Sequence, residues 1–137
     1  MNTNNIKLSV VGSRTFDDYE ILSQTIDKIK AHYNYNIIQI ISGGAKGADM
    51  LGEKYAIKNE ILTRLFLPDW KTYGKRAGFL RNVDIIKNCD VCIAFWDGES
   101  KGTKHDIDLC NEHNKTCFIY NFKTQKLTLN NQSKINT

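Results

Sequence analysis

Polar residues that could hold a phosphate are concentrated in a few short, glycine-rich turns. The most prominent turn, SGGAKGAD at residues 42–49, follows an apolar run and leads into a sequence compatible with a helix. Such a turn presents backbone N–H groups and the positive end of a helix to an anion, and glycine lets the anion approach the main chain closely. We therefore expect phosphate to bind at Gly43, Gly44 and the helix start beyond them, with Gly102 and Thr103 opposite. Arg14, Lys46 or Arg81 would supply positive charge. A strand-to-helix turn without a ligand is the alternative.

Three further turns carry polar or aromatic residues in similar positions. They read GSRT at residues 12–15, PDW at residues 68–70 and WDGESKGTK at residues 96–104. Asp97 is a natural partner for ribose hydroxyls, because a carboxylate accepts hydrogen bonds. Trp70 and Trp96 stand where strands are predicted to end, so each either stacks on a base or ribose or belongs to the core.

Apolar runs alternate with helical patterns along the whole chain. The apolar runs predict strands at residues 6–11, 37–41, 63–67, 90–95 and 116–120, with an additional edge strand at residues 126–129 as an open alternative. The run at residues 37–41 is typical of a strand that is buried on both faces. This alternation predicts an α/β three-layer sandwich around a mainly parallel sheet of five strands. We expect one domain over residues 1–129 and a frayed polar tail over residues 130–137.

The turns after the first four strands should meet at one edge of the sheet. In parallel sheets, ligands bind beyond the carboxyl ends of the strands, near the point where the strand order reverses. The turns at this edge contain most of the internal glycines together with five cations, and the turns at the other edge contain no comparable cluster. The five cations are Arg14, Lys46, Lys71, Lys101 and Lys104. This asymmetry predicts that the ligand is a small molecule that carries phosphate.

Composition limits the remaining classes of function. The chain has 137 residues, 41% of them hydrophobic, and no apolar stretch near the ~20 residues of a membrane span. Its beginning lacks the apolar region of a signal peptide, so we expect a cytoplasmic protein with four reduced cysteines and no membrane contact. Cys89 and Cys92 have CxxC spacing but no second pair or ligand histidine nearby, so we expect no metal and no required cofactor. The net charge of +4 is too small to favour nucleic acid as a partner.

Three motifs carry a resemblance to a known family. The stretches SGGAKGADMLGEKYA, PDWKTYGKRAGFLRN and AFWDGESKGTKHDI resemble the YspA-like branch of the SLOG superfamily. That superfamily includes the Lonely Guy phosphoribohydrolases and the DNA-processing protein of natural transformation. The resemblance implies a Rossmann-like fold and a site for nucleotides or nucleotide-derived signals, often in bacterial conflict or phage-defence systems.

The same resemblance gives two candidate catalytic residues, Arg81 and Asp106. Lonely Guy enzymes have a PGGxGTxxE motif after the fourth strand; here Gly102 and Thr103 match it, and Asp106 stands in place of the glutamate. Arg81 corresponds to an arginine in the helix before that strand. The shorter acid and the altered loop argue against hydrolysis. Thr103 and Asp106 also fit a helix capping box, in which Asp106 would point back at the helix.

The leading hypothesis is a sensor or sequestering protein for a nucleotide, an NAD- or ADP-ribose-derived molecule or a cyclic nucleotide. The first alternative is an N-glycosidic hydrolase of nucleoside monophosphates. The second is binding of single-stranded DNA, against which we count the lack of a basic stripe with interleaved exposed aromatics. A homo-oligomer is left open. The candidate ligand-binding residues are Gly12, Ser13, Arg14, Ser42, Gly43, Gly44, Lys46, Gly47, Asp49, Trp70, Arg81, Trp96, Asp97, Gly98, Ser100, Gly102, Thr103 and Lys104.

Overall fold

A computed structural model describes residues 4–130 of the chain. Its strands are β1 (Asn4–Gly12), β2 (Tyr35–Ser42), β3 (Leu62–Leu65), β4 (Val91–Trp96), β5 (Thr116–Asn121) and β6 (Lys126–Leu129). Its helices are α1 (Tyr19–Tyr33), α2 (Ala48–Lys58), α3 (Trp70–Tyr73), α4 (Ala77–Asn88) and α5 (Lys101–Glu112), with a short 3₁₀ turn at Gly74–Arg76 between α3 and α4.

The six strands form one sheet in the order β3-β2-β1-β4-β5-β6. All neighbours are parallel except β5 and β6, which run antiparallel. The predicted Rossmann-like three-layer fold is confirmed, and the additional edge strand is present. The strand order reverses between β1 and β4, which is where the carboxyl ends of two neighbouring strands leave room for a ligand.

Side chains that alternate along β1 supply the two faces of the sheet. Leu8 and Val10 pack with the buried side chains of α1 and α2, whereas Val11 packs with those of α4 and α5. This period of two follows from the pleat of the strand. The central strand β4 is buried almost throughout, as its apolar sequence predicts. Two helices on each face fix the ends of β1 and β4 from both sides.

The sequence-based description of β2 is wrong at one position. Ile38 is 44% exposed, so this strand is not covered on both faces along its full length. The reason is that β2 is second from the edge of the sheet, next to the short and exposed β3.

The chain is anchored one residue beyond β6. Asn130 accepts a hydrogen bond from the Cys117 N–H at 3.1 Å and donates its side-chain N–H to Lys115 O at 3.0 Å. The rest of the predicted tail, residues 131–137, lies outside the described residues. Within residues 4–130, no helix has the length and apolar character needed to cross a membrane.

Candidate functional site

A cavity of about 410 Å³ opens at the carboxyl ends of β1 and β4. It lies where the strand order reverses, as the fold predicts for a ligand site. Ten predicted site residues line it: Gly12, Ser13, Arg14, Asp49, Arg81, Asp97, Ser100, Gly102, Thr103 and Asp106. Nine others do not: Ser42, Gly43, Gly44, Lys46, Gly47, Trp70, Trp96, Gly98 and Lys104.

The turn after β1 and the turn after β4 are tied together by side-chain hydrogen bonds. The hydroxyl groups of Ser13 and Ser100 lie 2.6 Å apart, and Ser13 Oγ accepts a hydrogen bond from the Asp97 N–H at 3.2 Å. Ser13 is buried, whereas the neighbouring Arg14 is exposed at the cavity. These contacts fix the two sides of the cavity relative to each other.

The glycine loop after β2 does not form the predicted open phosphate cradle. The Gly44 N–H donates to Ser42 Oγ at 3.1 Å, and the Ala45 N–H donates to the Asp49 carboxylate at 3.3 Å. Arg81 Nη1 donates to the Gly43 carbonyl at 2.6 Å. Other groups of the protein therefore already occupy these two donors and this acceptor. Of the loop residues, only Ala45 and Asp49 line the cavity.

The start of α5 is the open helix end in this site. Ser100 is its N-cap residue, and the Ser100 side chain makes no capping hydrogen bond to the first turn of the helix. A Cβ added at Gly102 would meet no heavy atom within 4 Å. Unpaired N–H groups at a helix N-terminus attract anions. An anion can therefore approach this turn from the cavity.

Asp97 organises the loop that leads into α5. Its Oδ1 accepts hydrogen bonds from the Ser100 N–H at 2.7 Å, the Glu99 N–H at 2.8 Å and the Ser100 hydroxyl at 2.8 Å. The Ser100 N–H contributes most to holding the pKa of Asp97 at about 2, so this carboxyl is ionised. These three hydrogen bonds stabilise the conformation of the loop between β4 and α5.

Two buried acids and one arginine form the inner part of the cavity. Burial raises the pKa of Asp49 to about 6, partly offset by hydrogen bonds from the backbone and by the Arg81 charge. Burial, followed by the Asp49 charge, raises the pKa of Asp106 well above its ordinary value. Asp106 Oδ1 is buried without a hydrogen-bond partner. Groups with perturbed pKa values in a cavity are typical of functional sites.

The predicted capping role of Asp106 is wrong. Helix α5 begins at Lys101 with Ser100 as its N-cap, so Asp106 lies in the second turn and cannot cap the helix. Its side chain lines the cavity instead. The capping geometry therefore no longer argues against a role of Asp106 at the ligand.

Several other predicted residues have different surroundings. Trp96 donates its indole N–H to Ser100 O at 3.1 Å and packs against the core beneath α4 and α5. Lys104 forms an exposed ion pair with Asp108 at 3.0 Å, away from the cavity. Trp70 is 56% exposed on α3. These side chains therefore do not contribute to the cavity lining.

The sequence reasoning missed five residues of the lining: Val11, Thr15, Ala45, Asn82 and Ile85. Ile85 lies on α4 four positions after Arg81 and three after Asn82, so it shares a helix face with each of them. Asn82 Nδ2 lies 3.1 Å from His105 Nδ1, and this links α4 to α5. Helical spacing from Arg81 was the available signal for Ile85.

Among residues 4–130, one group of side chains could hold a soft metal ion. The sulfur atoms of Cys92, Cys110 and Cys117 all lie within 4.8 Å of one another, and all three residues are buried outside the cavity lining. Their neighbours are apolar side chains of the core. Because an anionic metal–thiolate group is costly in such surroundings, we interpret the thiols as small apolar core side chains.

The fold and the cavity together define a Rossmann-like α/β protein whose candidate site lies at the strand-order reversal. Comparison with known proteins identifies the family. A family model described as "YspA, cpYpsA-related SLOG family" matches residues 6–73. The Gene 61 protein of Mycobacterium phage D29 is 31% identical over 105 residues, which cover 72% of this chain and 83% of that protein. The chain belongs to the YspA-related SLOG family.

A solved structure of DNA processing protein A from Helicobacter pylori has a similar fold. The TM-score is 0.63 at 19% sequence identity, and the match covers 83% of this chain and 64% of that one, so this chain spans less than two thirds of its length. That structure is described for its unique mode of single-stranded DNA binding. This finding contradicts the prediction that nucleic acid is an unlikely partner, which rested on the small net charge and on the lack of a basic stripe with exposed aromatics.

Proposed function

We propose that the cavity binds the phosphate of a nucleotide-derived small molecule, and that the protein acts as a sensor or sequestering protein for it. The observation that carries this proposal is the uncapped N-terminus of α5, which opens onto a cavity that is also lined by Arg14 and Arg81. Free N–H groups at a helix end and guanidinium groups are both favourable partners for phosphate oxygens.

Arg81 is positioned to contribute to this site. Its Nε donates to Asn82 Oδ1 at 3.1 Å and its Nη1 to the Gly43 carbonyl at 2.6 Å, so two contacts fix the guanidinium group. A guanidinium group carries five N–H donors. The donors beyond these two contacts are available to a phosphate in the cavity.

The size and lining of the cavity suit a nucleotide-derived ligand. Small-molecule sites usually measure about 300–1,000 Å³ and combine apolar walls with a few polar groups. Here Val11 and Ile85 supply apolar surface, while Ser100 and Thr103 add hydroxyl groups near the helix end. The ligand classes that we propose are mononucleotides, ADP-ribose-like molecules and cyclic nucleotides.

Calorimetry and thermal unfolding with AMP, ADP-ribose and 3′,5′-cyclic AMP test this proposal. We expect at least one of them to raise the unfolding temperature, because a ligand that binds only the folded state stabilises it. Arg14→Gln should weaken that binding about 10-fold or more, since a hydrogen bond to a charged group contributes ~1.5–3 kcal/mol.

Lys104→Gln is the matched control, because it removes one positive charge from the same helix end but outside the cavity lining. If neither substitution changes the affinity, or if none of the three nucleotides binds, the proposed site is wrong. Chromatography of the same mixtures for free base tests the hydrolase alternative; base release that disappears in Asp106→Asn would favour an enzyme.

Single-stranded nucleic acid is the second candidate ligand, and a surface segment favours it. Residues 70–79 expose three aromatic rings and three cations: Trp70, Tyr73, Phe79, Lys71, Lys75 and Arg76. This arrangement contradicts the sequence-based expectation that exposed aromatics and cations are not interleaved. Stacking platforms with nearby positive charges are typical of proteins that bind single strands, and the fold resembles that of a protein that binds single-stranded DNA.

Anisotropy of a fluorescent oligothymidine tests this second candidate. If the three cations of the segment contact phosphates, log affinity should fall with log salt concentration with a slope of about −2. Trp70→Ala should weaken binding about 10-fold, since stacking contributes ~1–3 kcal/mol per base. Leu62→Ala, which truncates an even more exposed apolar side chain on β3, is the control. Binding that Trp70→Ala leaves unchanged would contradict a stacking role.

The proposed setting is the cytoplasm, where four unpaired thiols remain reduced. A relative encoded by a mycobacteriophage supports a role in conflict between phage and host.

A further inference from the structure

Asp106 has an unpaired oxygen atom inside the candidate site. The residue is 6% exposed, its Oδ1 has no hydrogen-bond partner, and its side chain lines the cavity. Buried polar atoms in folded proteins nearly always have a partner, and a carboxyl group buried without one is costly. The structure therefore indicates a hydrogen-bond partner that residues 4–130 do not supply.

The charges around this carboxyl group limit what that partner can be. Two arginines and three aspartates line the cavity, so its lining would carry one net negative charge if all five were ionised. Asp49 on α2 and Arg81 on α4 are the charged groups that act on Asp106, and the Cys117 thiol on β5 also lies near it. His105 on α5 is neutral at pH 7, because burial lowers its pKa.

Arg81 does not neutralise either acid by a direct ion pair. Within the described residues 4–130, the one ion pair closer than 4.0 Å joins Lys104 and Asp108. The Nη1 group of Arg81 is bound to the Gly43 carbonyl instead. A phosphate that approached an ionised Asp106 would therefore meet a like charge that no direct partner offsets, and like charges at close range repel strongly.

We propose that Asp106 binds the ligand as a neutral carboxylic acid, donating its proton in a hydrogen bond to an anionic phosphate oxygen of a nucleotide diester or pyrophosphate. This inference rests on the proposed function and adds a donor at the inner end of the cavity. It assigns the unpaired Oδ1 a role and removes one negative charge from the lining.

The direction of the pKa shift supports this role. Burial and the Asp49 charge favour the protonated form of Asp106. As pH rises through the folded pKa, Asp106 loses its proton, and the site exchanges a hydrogen-bond donor for a negative charge. Ligand affinity should therefore be highest below that pKa and fall above it.

The first measurement needs no ligand. In protein labelled with ¹³C at the aspartate carboxyl carbon, the Asp106 signal is the one that Asp106→Asn removes, and its shift is followed from pH 4 to pH 9. We expect the pKa of Asp106 to lie well above its ordinary value of 3.8. A carboxyl group that titrates at its ordinary value overturns the inference, whatever the ligand does.

The second measurement is the affinity for ADP-ribose across the same pH range. ADP-ribose is chosen because its pyrophosphate lacks the terminal phosphate ionisation that occurs near pH 6 in monoesters. Asp106→Asn keeps a neutral donor of the same shape, so below the pKa of Asp106 its affinity should stay within about 3-fold of the native value. The variant should lose the pH dependence that follows the Asp106 titration, whereas a dependence near pH 6 from Asp49 should remain in both proteins. Asp106→Leu keeps the volume but removes the donor, and should weaken binding about 10- to 100-fold.

The outcomes separate the two proposals. Equal losses in Asp106→Asn and Asp106→Leu, with both variants folded, overturn the donor role while leaving the nucleotide site intact. Native affinity that stays constant through the Asp106 titration overturns it as well. If ADP-ribose, AMP and cyclic AMP all fail to bind while Asp106 is protonated, the proposed function fails and the donor role fails with it.

Discussion

Gly43 offers a direct test of whether Arg81 acts in the site. A Cβ added at this position would lie 2.6 Å from Arg81 Nη1 and 2.8 Å from Asp49 Oδ2. Ordinary contacts of this type measure 3.4–4 Å. The backbone of Gly43 is not in the left-handed region, so alanine fits the main chain. Gly43→Ala should therefore push both side chains back by most of an ångström without unfolding the protein.

The expected loss of affinity follows from the contact that breaks. Arg81 Nη1 donates a 2.6 Å hydrogen bond to the Gly43 carbonyl, and this bond positions the guanidinium group at the cavity. A hydrogen bond to a charged group contributes ~1.5–3 kcal/mol. If the displaced Arg81 loses one such contact to a phosphate, affinity should fall about 10- to 100-fold. The free energy of unfolding should change by less than ~1.5 kcal/mol, because the atoms that move are the ends of flexible side chains.

Calorimetry with ADP-ribose at pH 6 measures the affinity, and urea unfolding measures the stability. Gly78→Ala is the matched control, since its Cβ would make an ordinary 3.5 Å contact with Trp70; it should leave the affinity within about 2-fold of the native value. In an Arg81→Ala background, Gly43→Ala should have a much smaller effect on affinity, because only the displacement of Asp49 remains. Native affinity in the Gly43→Ala protein would refute the assignment of Arg81 to the site.

Three further predictions concern stability and reactivity. Burial raises the pKa of Asp49 from 3.8 to about 6, so its stabilising contribution is complete below about pH 3.8 and is lost as pH rises to 6. In urea unfolding, the free energy of unfolding of Asp49→Asn should therefore rise by ~3 kcal/mol relative to that of the native protein as the pH increases from below 3.8 to above 6. A difference between the two proteins that stays constant with pH would contradict this. Gly52→Ala would place a Cβ 2.7 Å from Val10 Cβ, so it should cost ~1–3 kcal/mol in urea unfolding by overpacking; an unchanged free energy of unfolding would contradict this. The four cysteines are at most 1% exposed, so all four should resist a thiol reagent at pH 8 until the protein unfolds; rapid reaction of the native protein would show an accessible thiol.

Local sequence patterns were sufficient to predict the sheet edge at which the cavity lies. Apolar runs and helical spacing mark the order of strands and helices, and parallel connections bring the carboxyl ends of the strands to the same edge. The turns after β1 and β4 were correctly placed at this edge, and Arg14, Asp97 and Gly102 now line the cavity. Whether these residues bind a ligand remains a prediction.

Local patterns could not show which glycine turn stays open. The loop after β2 has the stronger anion-binding pattern, yet its Gly44 and Ala45 N–H groups already donate to Ser42 and Asp49. The start of α5 has the weaker pattern, yet the side chain of its N-cap residue makes no capping hydrogen bond. Sequence alone gives the donors of a turn; whether another group of the chain already occupies them depends on packing.

The remaining features of the site were decided by contacts between residues that are distant in the chain. Arg81 reaches the Gly43 carbonyl across 38 positions, and Ser13 meets Ser100 across 87. Asp106 was compatible with a local cap in the sequence, but it lies in the second turn of α5 and its side chain lines the cavity. The sequence therefore determined which elements form and the sheet edge at which they meet. The tertiary structure alone decided which polar groups there have no partner within residues 4–130, because satisfying a buried group depends on neighbours that sequence spacing does not specify.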